Sequence, residues 1–294
     1  MRTMEIRPAL FVANILLASM LLAETPTAKP VDHPLSPALK LAQEGLERID
    51  KDIRDYTCLL LKRELIDGAL SPYQFMQMKL RHRQSLAEGA EIPFAVYLKF
   101  LKPVSIQGRE VLFVDGQRNG DMLVRRGGVG LLSNITVRLS PTGRRALNEG
   151  KYPVTQVGIR NLINRLIEVM EQEQKFEECD VKFFDDAKLD GRLCQHIQVT
   201  HPTRRSHFQY HLARVFIDKE LQLPVYFASY NWPLEVGDTP ELLEEYIYTK
   251  VELNKGLTDQ DFESTHPDYQ FQKERTPEEA AAEEAKAKDK AENR

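Results

Sequence analysis

FAVYLKFLKPVSIQGREVLFVDGQRNGDMLVR, residues 94–125, decides the fold. Phe94, Val96, Leu98 and Phe100 alternate with Ala95, Tyr97 and Lys99. This is the period of two of a strand with one apolar face. Glu110 to Val114 and Met122 to Arg125 read as two further strands, joined by the turn-rich AspGlyGlnArgAsnGly at 115–120. Strands separated by such short turns pair as antiparallel neighbours.

The pattern extends in both directions. Upstream, strand periodicity begins at Tyr56, and Met76, Met78 and Leu80 oppose Gln77, Lys79 and Arg81. Before it, Ser36-Pro37 predicts a helix start, with Ser as cap and Pro at the first helical position. Leu39, Ala42, Leu46, Ile49 and Ile53 then form one apolar stripe. Downstream, Thr155 is the expected cap of a second helix, whose Ile159, Leu162, Ile163, Leu166, Val169 and Met170 share a face. Strands are expected near 177–185, 193–200, 208–218, 225–232 and 244–253, with Pro224 and Pro233 breaking the ladders. A short helix at 258–262 closes the domain. About ten strands with one apolar face need a cover, and two amphipathic helices are available. The expected class is α+β: a single large curved antiparallel sheet, an open half-barrel, with helices covering its concave face. No interior linker or internal repeat interrupts it, so residues 35–271 read as one domain.

Both ends differ from this body. Arg2 and Arg7 precede an apolar run from Ala9 to Ala23, broken only by Asn14 and Ser19. The run is shorter than the roughly 20 residues of a membrane-spanning helix. It reads as an export signal, residues 1–23, cleaved after Ala23, with an uncleaved anchor as the alternative. Residues 24–34 are a linker. Residues 272–294 are expected to be a charged tail, flexible or helical and solvated, because Lys273 to Arg294 holds no aromatic or large aliphatic residue. The expected location is periplasmic or otherwise exported, in the cell envelope. Such a compartment permits one disulfide among Cys58, Cys179 and Cys194. The pairing stays open, as does the alternative of three reduced thiols. A turn at Asp190-Gly191 would place Cys194 opposite Ala187, away from Cys179.

The 294 residues are 42% hydrophobic and 29% charged, with a net charge of −4. That excludes a disordered polyelectrolyte, and nothing suggests a nucleic-acid partner. Catalytic motifs are missing. No nucleophile elbow occurs, and GlyGlyValGly at 127–130 lacks the Lys-Ser/Thr of a phosphate loop, so it reads as a turn. His196, His201, His207 and His211 cluster in sequence, but on one strand His207 and His211 would be about 13 Å apart, too far to share a zinc. The carboxylate pairs Asp185-Asp186 and Glu244-Glu245 have nothing in the sequence to bring them together. No catalytic residue, metal site or cofactor is therefore assigned, and an enzyme is not expected. The positive signal is apolar. Met76, Met78, Leu80, Val96, Leu98, Phe100, Val111 and Phe113 on the strands, with Leu162 and Leu166 on the second helix, are the candidate lining of a ligand cavity. The other reading of each is ordinary core.

ValTyrLeuLysPheLeuLysPro (96–103) followed by GlyArgGluValLeuPheValAspGly (108–116) resembles the start of the outer-membrane lipoprotein carrier and lipoprotein-sorting proteins. A closer resemblance is to an exported bacterial family of unknown function, number 1571. It is carried by AspTyrThrCys (55–58), LysTyrProValThrGlnValGlyIle (151–159), AspLysGluLeuGlnLeuProValTyr (218–226), GluGluTyrIleTyr (244–248) and LeuThrAspGlnAspPhe (257–262). The carrier resemblance implies an open half-barrel holding lipoprotein acyl chains. The expected function is thus a non-enzymatic envelope protein that binds a lipid or acyl chain between sheet and helices. The alternative is a regulatory or scaffolding module with an envelope protein partner and no cavity.

Overall fold

The structure is a computed structural model. It describes residues 32–130, 132–176, 178–235, 237–276, 278–282 and 285–286. The export signal and most of the linker lie outside the described residues.

Fifteen strands alternate with three α-helices among the described residues. They are α1 Ser36–Asp52, β1 Asp55–Ile66, β2 Ala69–Leu70, β3 Gln74–Arg81, β4 Gln84–Ser85, β5 Glu91–Ile92, β6 Ala95–Lys102, β7 Glu110–Val114, β8 Met122–Arg125 and β9 Thr136–Leu139. There follow α2 Arg144–Leu147, α3 Ile159–Glu173, β10 Asp180–Leu189, β11 Arg192–Thr200, β12 Leu212–Asp218, β13 Leu223–Tyr230, β14 Leu242–Leu253 and β15 Glu274–Arg275. One 13-stranded sheet runs in the order β10-β11-β12-β13-β14-β1-β3-β6-β7-β8-β9-β15, with β2 extending β1. Each half is an antiparallel meander, and β1 pairs with β14 to join them. The two ends of the path stay unpaired with each other, so the sheet is an open half-barrel. Its class is α+β. The mixed character comes from β15, which adds to β9 in parallel.

Period-two sequence builds continuous apolar rows across the inner face. Cys58, Met78, Leu98, Val111, Val124 and Val137 are successive cross-strand partners. Tyr56, Leu80, Val96 and Phe113 form the next row. Beyond the β1–β14 junction, Tyr246, Phe227, Val215 and Ile197 continue a row. α3 connects β9 to β10, which lie near opposite ends of the sheet, and so crosses this face; α1 packs beside it.

Several local expectations are corrected. Leu35, not Ser36, occupies the cap position of α1, and Ser36 Oγ instead takes a hydrogen bond from Gln174 Nε2 at 3.2 Å. Thr155 lies in a 3-10 turn, and Gly158 precedes α3 with φ 109°. The helix receives a tertiary cap: Ile159 N–H donates to the Tyr56 hydroxyl at 2.9 Å. Pro224 sits inside β13, opposite Ile217 beside a bulge in β13 itself, where Val225 is the extra residue between the Phe216–Tyr226 and Ile217–Pro224 pairs. A bulge is a place where a residue without an N–H is tolerated. The convex face is not bare: Leu257, Phe262, Tyr269 and Phe271 cover Ala95, Tyr97, Leu112 and Leu123. The tail also docks in part, since Glu274 and Arg275 form β15 and Ala280 is buried. Ala187 faces Cys194 as the turn reading required, and Cys58, Cys179 and Cys194 are all free thiols.

Candidate functional site: a cavity between sheet and helices

α1 and α3 do not fill the half-barrel. A cavity of about 1050 Å³ remains, walled by residues from both halves of the sheet and from both helices. This is at the upper end of the range of small-molecule sites, about 300–1,000 Å³. One apolar wing is built from Leu60, Met76, Leu98, Phe100, Val111 and Leu139, the other from Ile197, Val199, Val215, Ile217 and Phe227. Ala38, Leu41 and Gly45 of α1 and Leu162, Leu166 and Val169 of α3 form the roof.

Six of the ten candidate residues therefore face this space: Met76, Leu98, Phe100, Val111, Leu162 and Leu166. Met78, Leu80 and Val96 do not. They are fully packed core under the start of α3, where Leu80 Cδ1 would lie 2.5 Å from a Cβ at Gly158. Phe113 lines a separate polar cleft that also contains His82, Asp50 and Arg160.

Sequence reading missed the whole second apolar wing, Ile197 to Phe227, and it missed a set of polar residues between the wings. Glu64 on β1 is directly opposite Glu244 on β14, in the wall of the cavity. Two adjacent carboxylates survive burial only if cations and donors surround them. Here Glu64 accepts hydrogen bonds from the Tyr246 hydroxyl at 2.6 Å, Lys62 Nζ at 2.9 Å and the Lys151 N–H at 3.3 Å. Glu244 accepts from Ser229 Oγ at 3.2 Å and from the hydroxyls of Tyr152 and Tyr246 at 3.4 and 3.3 Å, and Lys151 Nζ is 3.0 Å away. Burial alone would raise the Glu64 carboxyl, but Lys62, Tyr246 and Lys151 together hold it below the ordinary range. Burial and the adjacent carboxylates push the Tyr246 and Tyr152 hydroxyls up. Glu64 Oε2 and Glu244 Oε1 have donors of their own, Glu64 Oε1 and Glu244 Oε2 share the single proton of the Tyr246 hydroxyl, and two lysines balance two carboxylates, so the cluster is a charge-balanced polar seam between two apolar wings. One signal for it existed in the sequence: LysTyrProVal and GluGluTyrIleTyr, two of the stretches that carry the family resemblance, supply Lys151, Tyr152, Glu244 and Tyr246.

His201 and His211 are hydrogen-bonded through their backbones, and His201 and His207 both pack on Phe208, but their rings are engaged separately. His201 is buried with Nε2 3.5 Å from Glu173, while His207 stacks on Phe176. Among the described residues no group of three His, Cys, Asp or Glu side chains is placed to hold a metal ion.

Residues 53–271, which hold the seam, α3 and all of the 13-stranded sheet but β15, match the family described as protein of unknown function DUF1571. The chain belongs to this family. No curated protein matches it by sequence. Among solved structures, this DUF1571 member is similar to MucB at 14% identity and TM-score 0.42, covering 78% of this chain and 63% of that one. It is similar to a putative outer-membrane lipoprotein-sorting protein domain from Vibrio parahaemolyticus at 13% identity and TM-score 0.36, covering 77% and 96%. It is also similar to the Mycobacterium tuberculosis lipoprotein LppX at 13% identity and TM-score 0.39, covering 76% and 98%. At these values neither ligand nor partner transfers from those proteins to this chain.

Proposed function

We propose that this DUF1571 member is an exported, non-enzymatic envelope protein that takes an apolar ligand, a lipid or the acyl chain of a lipoprotein, into the cavity between sheet and helices. The carrying observation is the cavity itself, about 1050 Å³ with apolar walls on both sides of the polar seam. Each ligand methylene buried there contributes about 0.8 kcal/mol, so a long chain supplies affinity without a covalent or metal anchor. Export rests on the apolar run Ala9 to Ala23 and the small residue that ends it. The test is native mass spectrometry of protein purified from cells without detergent. Adducts of lipid mass that disappear in the Leu166→Trp variant support the reading. A clean apo mass, together with no binding of added fatty acids, sinks it.

A second reading, an interaction module, is favoured by one observation. The β9 edge is covered by the chain's own β15, whereas β10 at the other edge has no partner strand beyond β11 among the described residues. Phe183 and Phe184 on that edge are 38% and 40% exposed. An uncovered edge of this kind accepts an added strand. Pull-down from envelope extracts with and without Phe184→Lys separates the readings: edge-dependent capture with no lipid adduct favours the module.

A further inference from the structure

The charge around the cavity is opposite to that of the chain. Among the described lining residues six are basic (Lys62, Arg109, Arg126, Arg145, Lys151 and Arg165) and four acidic (Glu64, Glu149, Glu168 and Glu244), although the chain carries −4 overall. The seam cancels Lys62 and Lys151 against Glu64 and Glu244. Of the rest, Arg165 stands 3.9 Å from Glu168 and Arg109 pairs with Glu149, and Arg126, Arg145 and Arg165 are exposed where the lining reaches solvent. Arg126 and Arg145 both line the cavity and are exposed, which marks an opening beside them.

Arg109 forms the inner part of this rim. Its side chain is only 16% exposed, its guanidinium lies 5.8 Å from the Phe100 ring, and its Nε donates to the Arg126 carbonyl at 3.0 Å. The backbone is shaped to hold it there. Gly127 has φ 70°, and a Cβ on it would sit 2.1 Å from the Arg109 nitrogen. Gly128 approaches the Ser105 carbonyl in the same way, at 2.4 Å. The GlyGly pair of the 127–130 stretch is thus a turn, and one that locks two arginines side by side. Burial and the charge of Arg126 push the Arg109 guanidinium down to about 10. Cations gathered around one partly buried guanidinium favour a bound anion. The rim already accepts carboxylates from its own chain: Glu149 pairs with Arg109, and Glu278 lies in the field of Arg145.

We infer that the ligand is an anionic amphiphile, its acyl chain in the cavity and its carboxylate or phosphate headgroup held at the mouth by Arg109, Arg126 and Arg145. This deepens, and rests on, the proposed binding of an apolar ligand. Guanidinium groups bind both oxyanions through paired N–H donors, whereas an alcohol or ester headgroup offers no charge to them. Glu149 occupies the same donors when the ligand is absent and must release Arg109 for it to bind.

The test uses the full exported chain and three probes with one chain length: dodecanol, dodecanoate and dodecyl phosphate, each titrated against a bound neutral fluorescent dye. The wild type is expected to bind the two anions about tenfold more tightly than the alcohol, with the gap narrowing as salt rises. In the double variant Arg126→Gln/Arg145→Gln the anions should fall to the level of the alcohol, whose own binding is unchanged and reports an intact fold. Glu149→Gln should tighten the anions alone. The stronger anion identifies the headgroup as carboxylate or phosphate. Equal binding of all three by the wild type, or a preference that survives the double variant, overturns the headgroup site and leaves the apolar cavity standing. Failure of dye and all three probes to bind overturns the cavity and the headgroup site together.

Discussion

Glu64 and Glu244 face each other across the β1–β14 junction, and the Tyr246 hydroxyl lies between them, 2.6 Å from Glu64 and 3.3 Å from Glu244. The strands that close the two halves of the sheet into one are thus riveted by a polar seam at one end of the junction and by apolar pairs such as Leu60–Tyr248 along the rest of it.

The seam makes stability depend on acid pH. The Glu64 carboxyl is held below its ordinary value, so its contribution is present above the unfolded-state value, near pH 4.5, and is lost as pH falls through the lower folded value. Glu64→Gln should lower unfolding free energy at pH 7 by about 2 kcal/mol, because Lys62 and Tyr246 lose a charged acceptor. The deficit should shrink below pH 4, as urea titrations at several pH values will show.

His82 gives a dependence in a separate window. Burial, then the charge of Arg160, pushes its imidazole down to about 4, and Nε2 has no hydrogen-bond partner among the described residues. The unfolded chain therefore binds a proton from about pH 6.5 downward while the folded chain does not, and stability falls until pH 4. His82→Leu should flatten the curve between those limits. NMR of the wild type should find this imidazole still neutral at pH 5.

The junction of α3 with the sheet leaves no spare room. A Cβ at Gly158 would lie 2.5 Å from Leu80 Cδ1 and 2.9 Å from the Tyr56 hydroxyl, at a φ of +109°. Gly158→Ala should cost about 2–5 kcal/mol from strain and overpacking together. Tyr56→Phe should cost about 1–3 kcal/mol by leaving the Ile159 N–H buried and unpaired. Denaturation midpoints measure both.

Gly45 is the opposite case. It lies in the interior of α1 without an unusual φ, and an added Cβ would meet Ile163 Cδ1 at 3.5 Å and the Gln222 carbonyl at 3.8 Å, ordinary contacts. Gly45→Ala should stabilise the protein by about 0.5–1 kcal/mol through helix propensity. A lower melting temperature would show that α1 needs the freedom of glycine.

Filling the cavity should separate binding from folding. Leu166 is half-buried in the roof. Leu166→Trp should leave the melting temperature within a few degrees of wild type and weaken acyl binding by about tenfold or more. Thermal melts and dye displacement on one preparation check both halves.

Alternation in the sequence was enough to place most strands, because a strand's faces follow from its own period, and the Asp190-Gly191 turn was enough to set Cys194 against Ala187. The spacing of Ile159, Leu162, Ile163, Leu166, Val169 and Met170 likewise located α3 and its inner face. Caps were less legible. The donor at the start of α3 meets a hydroxyl from Tyr56, 103 residues away, and no local pattern encodes that.

The site divides along the same line. The sequence by itself determined which side chains point inward, since period two and period 3.6 are properties of the local backbone. It could not say which of them meet a helix and which meet open space: Met78 and Leu80 lie under α3, while Met76 and Leu98 face the cavity. That depends on the path α3 takes across the sheet. Only the tertiary structure brought Tyr246 to Glu64, 182 residues away, and set Glu149 and Arg126 beside Arg109, because long-range strand pairing and loop closure decide what stands opposite what.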